Sequence, residues 1–166
     1  MPLPVAFGLL EFSAMRRESG FTLVEIMIVV SIIALLVVIA LPSFLHAREQ
    51  ARRTKFVAAL RVARDACDTY AMENNGWPTD VNRGTLPPGM ATYFDAHFNW
   101  TAPTPIGGNW DWDFKVFGFT AGVSVLDPDE SNEDMAAIDA MIDDGDLTTG
   151  AFQKTADNRY TWILEP

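Results

Sequence analysis

One carboxylate in this chain sits where a carboxylate is expensive. Residues 21–41 read FTLVEIMIVVSIIALLVVIAL, apolar throughout apart from Glu25 and the small hydroxyls of Thr22 and Ser31. An ionised side chain in such a run costs about 2.5–3.5 kcal/mol on membrane-insertion scales, so Glu25 marks a function or a partner. Just before it, RRESG places Arg16, Arg17 and then the small residue Gly20 at the edge of the apolar run, where a protease can reach the chain. A second set of oxygen donors lies far downstream, in Asp127, Asp129, Glu130, Glu133 and Asp134 and then Asp139, Asp143, Asp144 and Asp146. Carboxylates at that density can ligate calcium, but the EF-hand spacing fails. Counting from Asp127, position six is Asn132 where that loop needs Gly, and position twelve is Ile138 where it needs Glu. Asp127, Asp129, Glu130, Asp143, Asp144 and Asp146 remain calcium candidates of another geometry. The plainer alternative is a pair of capped helix ends and a solvated acidic face.

Other reactive residue types form no constellation. Cys67 is the single cysteine, so no intramolecular disulfide exists, and its place in a helical stretch reads as a small buried thiol. His46 and His97 are far apart in sequence and neither belongs to a Cys/His cluster. Trp100, Trp110 and Trp112 offer a sugar-stacking surface, but the last two alternate with aspartates as core residues of a strand do. No nucleophile and base stand at motif spacing, and no glycine-rich phosphate loop joins a strand to a helix. An enzyme is not expected.

These residues need elements to hold them. The chain has 166 residues and a formal charge of -10, enough for one small domain beside the N-terminal segment. The acid is concentrated from residue 76 onward, where 15 Asp and Glu face only Arg83, Lys115, Lys154 and Arg159. Such a domain repels phosphate backbones, which argues against nucleic-acid binding. As a helix, residues 21–41 measure about 31 Å, the thickness of a bilayer's hydrocarbon core. Arg16 and Arg17 favour a cytoplasmic N-terminus, although Arg48, Arg52, Arg53 and Lys55 follow the span and oppose that bias. Beyond Pro42 the period continues through Phe56, Leu60, Ala63, Cys67 and Tyr70, and Asn74, Asn75, Gly76 and Pro78 end it. One long helix is predicted, with Pro42 removing a backbone donor where a bend can form. Residues 76–109 are rich in Gly, Pro, Asn and Thr and read as a long loop packed on a sheet. WDWDFKVF then alternates as a strand with Trp110, Trp112, Phe114 and Val116 on the buried face and Asp111, Asp113 and Lys115 on the other, turned to solvent. A second strand is predicted at about 121–126 after a turn near Gly118, and a third in RYTWILE. Between them lies a short helix capped at Ser131 or Asn132 that leaves at Gly145.

The segment RRESGFTLVE with the apolar run behind it resembles the class III signal and N-terminal helix of type IV pilins and type II secretion pseudopilins, over roughly residues 16–45. YAMENNGWPTD also resembles the place where pseudopilin helices meet their first loop. The resemblance implies a leader, residues 1–20, cut after Gly20 by a prepilin peptidase, and methylation of the new amino terminus at Phe21. A start at Met15 in place of Met1 would give a leader of six residues. It places Glu25 at the family's fifth mature position and Pro42 at its usual helix-interrupting proline. Glu25 would then pair with the Phe21 amine of a neighbouring subunit; the alternative is that it reaches the headgroup region. The fold implied is α+β and pilin-like, a long helix packed on a small antiparallel sheet. It consists of a transmembrane and polymerisation helix over 21–42, its amphipathic continuation over 43–75, and an exported globular part over 76–166 with a loop, about three strands and a short helix. The partners implied are the peptidase, identical or homologous subunits, the membrane and an inner-membrane assembly platform. The location implied is the inner membrane, single-pass, with the C-terminal part exported and the subunit built into a filament. Some major pseudopilins hold calcium in a C-terminal loop, which gives the acidic candidates a family precedent. A secretion pseudopilin is the leading expectation. A major or minor type IV pilus subunit is the nearest competitor, and a monomeric membrane-anchored ligand-binding domain is the rival of a different class.

Overall fold

The computed structural model describes residues 20–166. The expected leader before Gly20, with Arg16 and Arg17, lies outside the described residues. The chain divides into two compact units, one ending at Ser43 and the other spanning Phe44–Pro166. Helix α1 (Leu23–Asn74) begins in the first and continues in the second, and its side chains through Leu45 are exposed, apolar ones included. Pro42 lies inside α1 and not at its end. Among the described residues α1 is the one helix long and apolar enough to cross a membrane.

In the second unit the rest of α1 packs on a four-stranded antiparallel sheet, the α+β layout of the pilin type. Phe56, Val57, Leu60, Ala63, Ala66 and Cys67 are buried, and their spacing of three and four residues is the reason one helical face can cover a sheet. The strands are β1 (Asn109–Phe114), β2 (Ala121–Leu126), β3 (Phe152–Ala156) and β4 (Arg159–Glu165), ordered β1-β2-β4-β3. A short helix, α2 (Asn132–Ile142), connects β2 to β3. Its N-cap is Ser131: the Asp134 N–H donates to the Ser131 hydroxyl, and the Asp134 carboxylate accepts from the Ser131 N–H, a complete capping box.

The inner face of the sheet carries Trp110 and Trp112 from β1, Val123 and Val125 from β2, and Tyr160 and Trp162 from β4. Phe56 of α1 stacks on Trp110 at 5.6 Å between ring centroids and 8° between planes. The loop of residues 75–108 closes one end of this core, bringing Phe98 and Trp100 against Trp110, with Phe94 packed on both of them. It is tied down where the Trp112 indole N–H donates to the Pro78 carbonyl at 3.0 Å. The tryptophans are therefore core residues, as their alternation indicates.

Two expectations need correction. The sheet has four strands where about three were expected, because FQKTA is an edge strand with a single buried residue, Phe152, and shows almost no apolar period. It pairs with β4 across a tight turn in which Asn158 adopts a positive φ of 51°. The second concerns Asp111 and Asp113, which do face away from α1 but are only 4% and 3% exposed. Arg159 of β4 covers them, its Nη2 2.8 Å from Asp111 Oδ2 and its Nη1 2.7 Å from both Asp113 oxygens. Phe117, in the turn after β1, lies under the Arg159 guanidinium at 4.7 Å. Burial is the largest influence on Asp111 and pushes its carboxyl up to about 6, with hydrogen bonding to Arg159 opposing the shift.

Removing the Phe56 ring should destabilise the second unit by about 3–5 kcal/mol, because it opens a cavity against Trp110; denaturant titration followed by tryptophan fluorescence measures this. An acid whose folded pKa is raised loses stability as pH climbs from its unfolded value towards its folded one. The Asp111→Asn variant should therefore lack a pH-dependent loss on the order of 1–3 kcal/mol that the parent shows between pH 4 and 7. Identical pH profiles for the two would contradict that reading.

Candidate functional site

At the start of α1, Thr22 stands immediately before the helix and Glu25 three residues later. The Thr22 N–H donates to Glu25 Oε2 at 2.9 Å, the Thr22 hydroxyl donates to the same oxygen at 2.8 Å, and the Glu25 N–H donates to Thr22 Oγ1 at 3.2 Å. This is a second capping box, T-x-x-E, and the helix N-terminus favours a negative charge there on its own account. The spacing of Thr22 and Glu25 carries this signature in the sequence as well. Gly20 and Phe21 immediately precede the box, and the Phe21 side chain is exposed. Gly20, Phe21 and Glu25, expected to take part in processing and assembly, thus stand within six positions at the head of a helix whose apolar side chains are exposed as far as Leu45, while Pro42, the other expected assembly residue, lies inside that helix.

The acidic candidates separate. Asp127 pairs with Arg83 at 3.1 Å, and Glu130 with Arg52 at 3.5 Å. Asp129 folds against Gly107, where a Cβ would collide with its carboxylate. Asp146 accepts from the backbone N–H and the hydroxyl of Thr148, at 3.0 and 2.7 Å. Asp143 and Asp144, by contrast, meet Asp139, and the three offer carboxylate oxygens within 4.8 Å of one another. Asp139 lies in α2, is fully buried, and has no hydrogen-bond partner on either carboxylate oxygen. A buried carboxylate with both oxygens orphaned is costly unless a cation or a proton satisfies it. Asp143 accepts from the Ala151 N–H, and Asp144 accepts from the Thr149 hydroxyl at 2.9 Å, so the loop after α2 folds back over the cluster. Gly150 permits that fold with φ 77°, since a Cβ there would strike Asp143. The donor set is all oxygen and suits a hard divalent cation such as calcium. Asp139 was visible in the sequence among its acidic neighbours, but a position inside a short amphipathic helix gave no sign of its burial.

Comparison with known proteins bears on both ends of this description. The family described as the prokaryotic N-terminal methylation motif matches residues 15–41. The type II secretion system core protein G of Aeromonas hydrophila is 33% identical over 101 residues, covering 57% of this chain and 71% of that protein. The core protein G of Escherichia coli (strain K12) is 35% identical over 88 residues, 48% of this chain and 60% of that one. The type IV wide pilus major component of Thermus thermophilus is 38% identical over 66 residues, 40% of this chain and half of that one. No solved structure matches significantly. A methylation motif at the head of an exposed apolar helix, a pilin-type helix-on-sheet domain and similarity reaching well past the motif all converge, and the chain belongs to the type II secretion core protein G family of pseudopilins.

Proposed function

We propose that this chain is made as a precursor, cut after Gly20 by a prepilin peptidase and methylated at Phe21. It is then held in the inner membrane by α1, with the C-terminal part exported, until an assembly platform builds it into a pseudopilus with copies of itself or homologous subunits. It serves as a structural subunit and not as an enzyme. The observation that carries this reading is Glu25, a carboxylate on an otherwise apolar exposed helix face, one turn from the amine that cleavage would free. The Thr22 box satisfies part of its hydrogen-bonding capacity but neutralises no charge. The amine of Phe21 on a neighbouring subunit would supply the missing positive charge, and the cost of leaving Glu25 unpaired in lipid favours adding that neighbour. Similarity to the Thermus pilus component supports the nearest alternative, a type IV pilus subunit.

The cluster of Asp139, Asp143 and Asp144 supports a further element of this reading, a calcium ion that ties the end of α2 to the loop leading into β3. The orphaned oxygens of Asp139 are the observation in its favour. Asp127 and Glu130 already hold arginine partners and would not contribute.

A Gly20→Ala variant should accumulate as the uncut precursor, seen as slower gel migration. A Glu25→Val variant should be cut and membrane-inserted but absent from sheared filaments, with secretion lost. Wild-type filament yield and secretion in both variants would favour a simple membrane anchor. In the second experiment, millimolar calcium should raise the melting temperature of the parent by several degrees and leave an Asp139→Asn variant unmoved. An equal shift in both proteins, or none in the parent, would remove calcium from this reading.

A further inference from the structure

Two clefts of opposite charge lie where the loop of residues 75–108 runs along α1. The first follows the last three turns of the helix, a cavity of about 660 Å³ between Val62, Asp65, Thr69 and Glu73 of α1 and Tyr93 and Asp95 of the loop. Among the described residues no basic side chain lines it. Asp65, Glu73 and Asp95 are all exposed, so their oxygens can be reached from solvent. Arg64 lies 3.1 Å from Asp65 but is shared with Asp68 at 3.6 Å, so the cleft stays acidic. Glu73 accepts from the Tyr93 hydroxyl through Oε2, and Asp95 accepts from the N–H groups of His97 and Phe98 through Oδ1. The second oxygen of each remains for an incoming donor.

The loop turns at Asp95, and beyond that turn a cleft of about 440 Å³ opens beside an earlier part of α1. Lys55 and His97 line it together with Phe98, Pro103 and Pro105, and no carboxylate does. Both basic residues are exposed, and neither forms an ion pair among the described residues. Arg48, two turns earlier on the same face of α1, is likewise exposed and without an ion pair there. Charge on this side of the molecule is thus sorted along the helix axis, basic first and acidic after.

That sorting restricts how two copies can meet, given the anchored, filament-building reading above, on which this inference rests. Copies held in one membrane by the same segment run parallel. At equal height they would oppose acid to acid and base to base, which like charges disfavour. An antiparallel pair would match the clefts reciprocally, but a shared anchor orientation forbids it. An axial offset is what remains. At 1.5 Å per residue, an offset of roughly 17–18 residues, about 26 Å, sets Arg48 of one copy level with Asp65 of the next and Lys55 level with Glu73. Val62, 40% exposed, gives the aliphatic stem of that lysine an apolar floor. A contact joining unlike surfaces at an offset does not close on itself and repeats as a helix.

We propose that the acidic cleft of one copy receives the basic face of a second copy, Lys55 above all, and that this contact sets the stagger between neighbouring subunits. The Lys55→Glu and Glu73→Lys variants of the full chain should each lower the yield of sheared filaments several-fold. The doubly exchanged chain should recover at least half of the parent's yield, because the pair is restored with its signs reversed. All three alter exposed positions, so circular dichroism of the detergent-solubilised chains should not change. A chain carrying both Lys55→Cys and Glu73→Cys should form a ladder of multimers with a short bis-maleimide linker, while either single variant should stop at dimers; Cys67 is buried and spared. Full yield in both single-charge variants, or filaments that give no ladder, would overturn the contact and leave the filament standing. A doubly exchanged chain no better than the single ones would overturn it too and assign the clefts to a partner other than a second copy. Parent cells without sheared filaments would overturn the filament reading, and this inference with it.

Discussion

An apolar helix surface without a cover is the condition around which the rest of this molecule is arranged. From Leu23 to Leu45 nearly every side chain of α1 is aliphatic or aromatic, and all are exposed. At roughly 25 cal/mol per Å² such a surface cannot remain in water, so it must meet lipid or other helices. Further along the same helix the cover is intramolecular. Phe56, Leu60, Ala63 and Cys67 lie against the tryptophan-rich face of the sheet, and no disulfide is needed to close that core. One element thus serves two solvents, and what differs along it is whether the apolar side chains occupy one stripe or the whole circumference.

Polar satisfaction is handled differently at each place where a carboxylate leaves water. Glu25 and Asp134 use a reciprocal box with the hydroxyl residue three positions earlier. Asp113 uses a serine from the neighbouring β2 and an arginine from β4, one strand further on. Asp139 uses nothing within the described residues, and Asp111 uses half of what it could. Those last two are the least satisfied carboxylates of the set. They lie in different parts of the domain, Asp139 in α2 and Asp111 in β1.

How much of this is legible in the sequence depends on how local the cause is. The apolar run, the period through Tyr70 and the alternation of Trp110, Trp112 and Phe114 are nearest-neighbour patterns, and they gave the helix, its buried face and the central strands directly. Strand β3 hides because an edge strand of five residues needs only one buried side chain, and Lys154 and Gln153 make it read as loop. The burial of Asp111 and Asp113 is invisible locally, since alternation assigns them to solvent and the residue that covers them, Arg159, comes 46 or more positions later. Asp139 is obscured in the same way, its burial set by how the loop after α2 folds back. The capping box of Glu25 is an exception, a local pattern written in the T-x-x-E spacing from Thr22.

The strand order carries a consequence for how the domain comes into being. In the order β1-β2-β4-β3, the last strand of the sequence is interior to the sheet and flanked on both sides. β1 and β2 can pair as soon as they are adjacent, but β2 keeps an open edge, β3 has no partner, and the Arg159 that neutralises Asp111 and Asp113 has not arrived. If the part beyond α1 is exported as proposed, the sheet stays unfinished until residues 159–165 emerge. Closure then comes in one late, long-range step. On that reading the exported part is pliable while it moves and rigid only once β4 is in place.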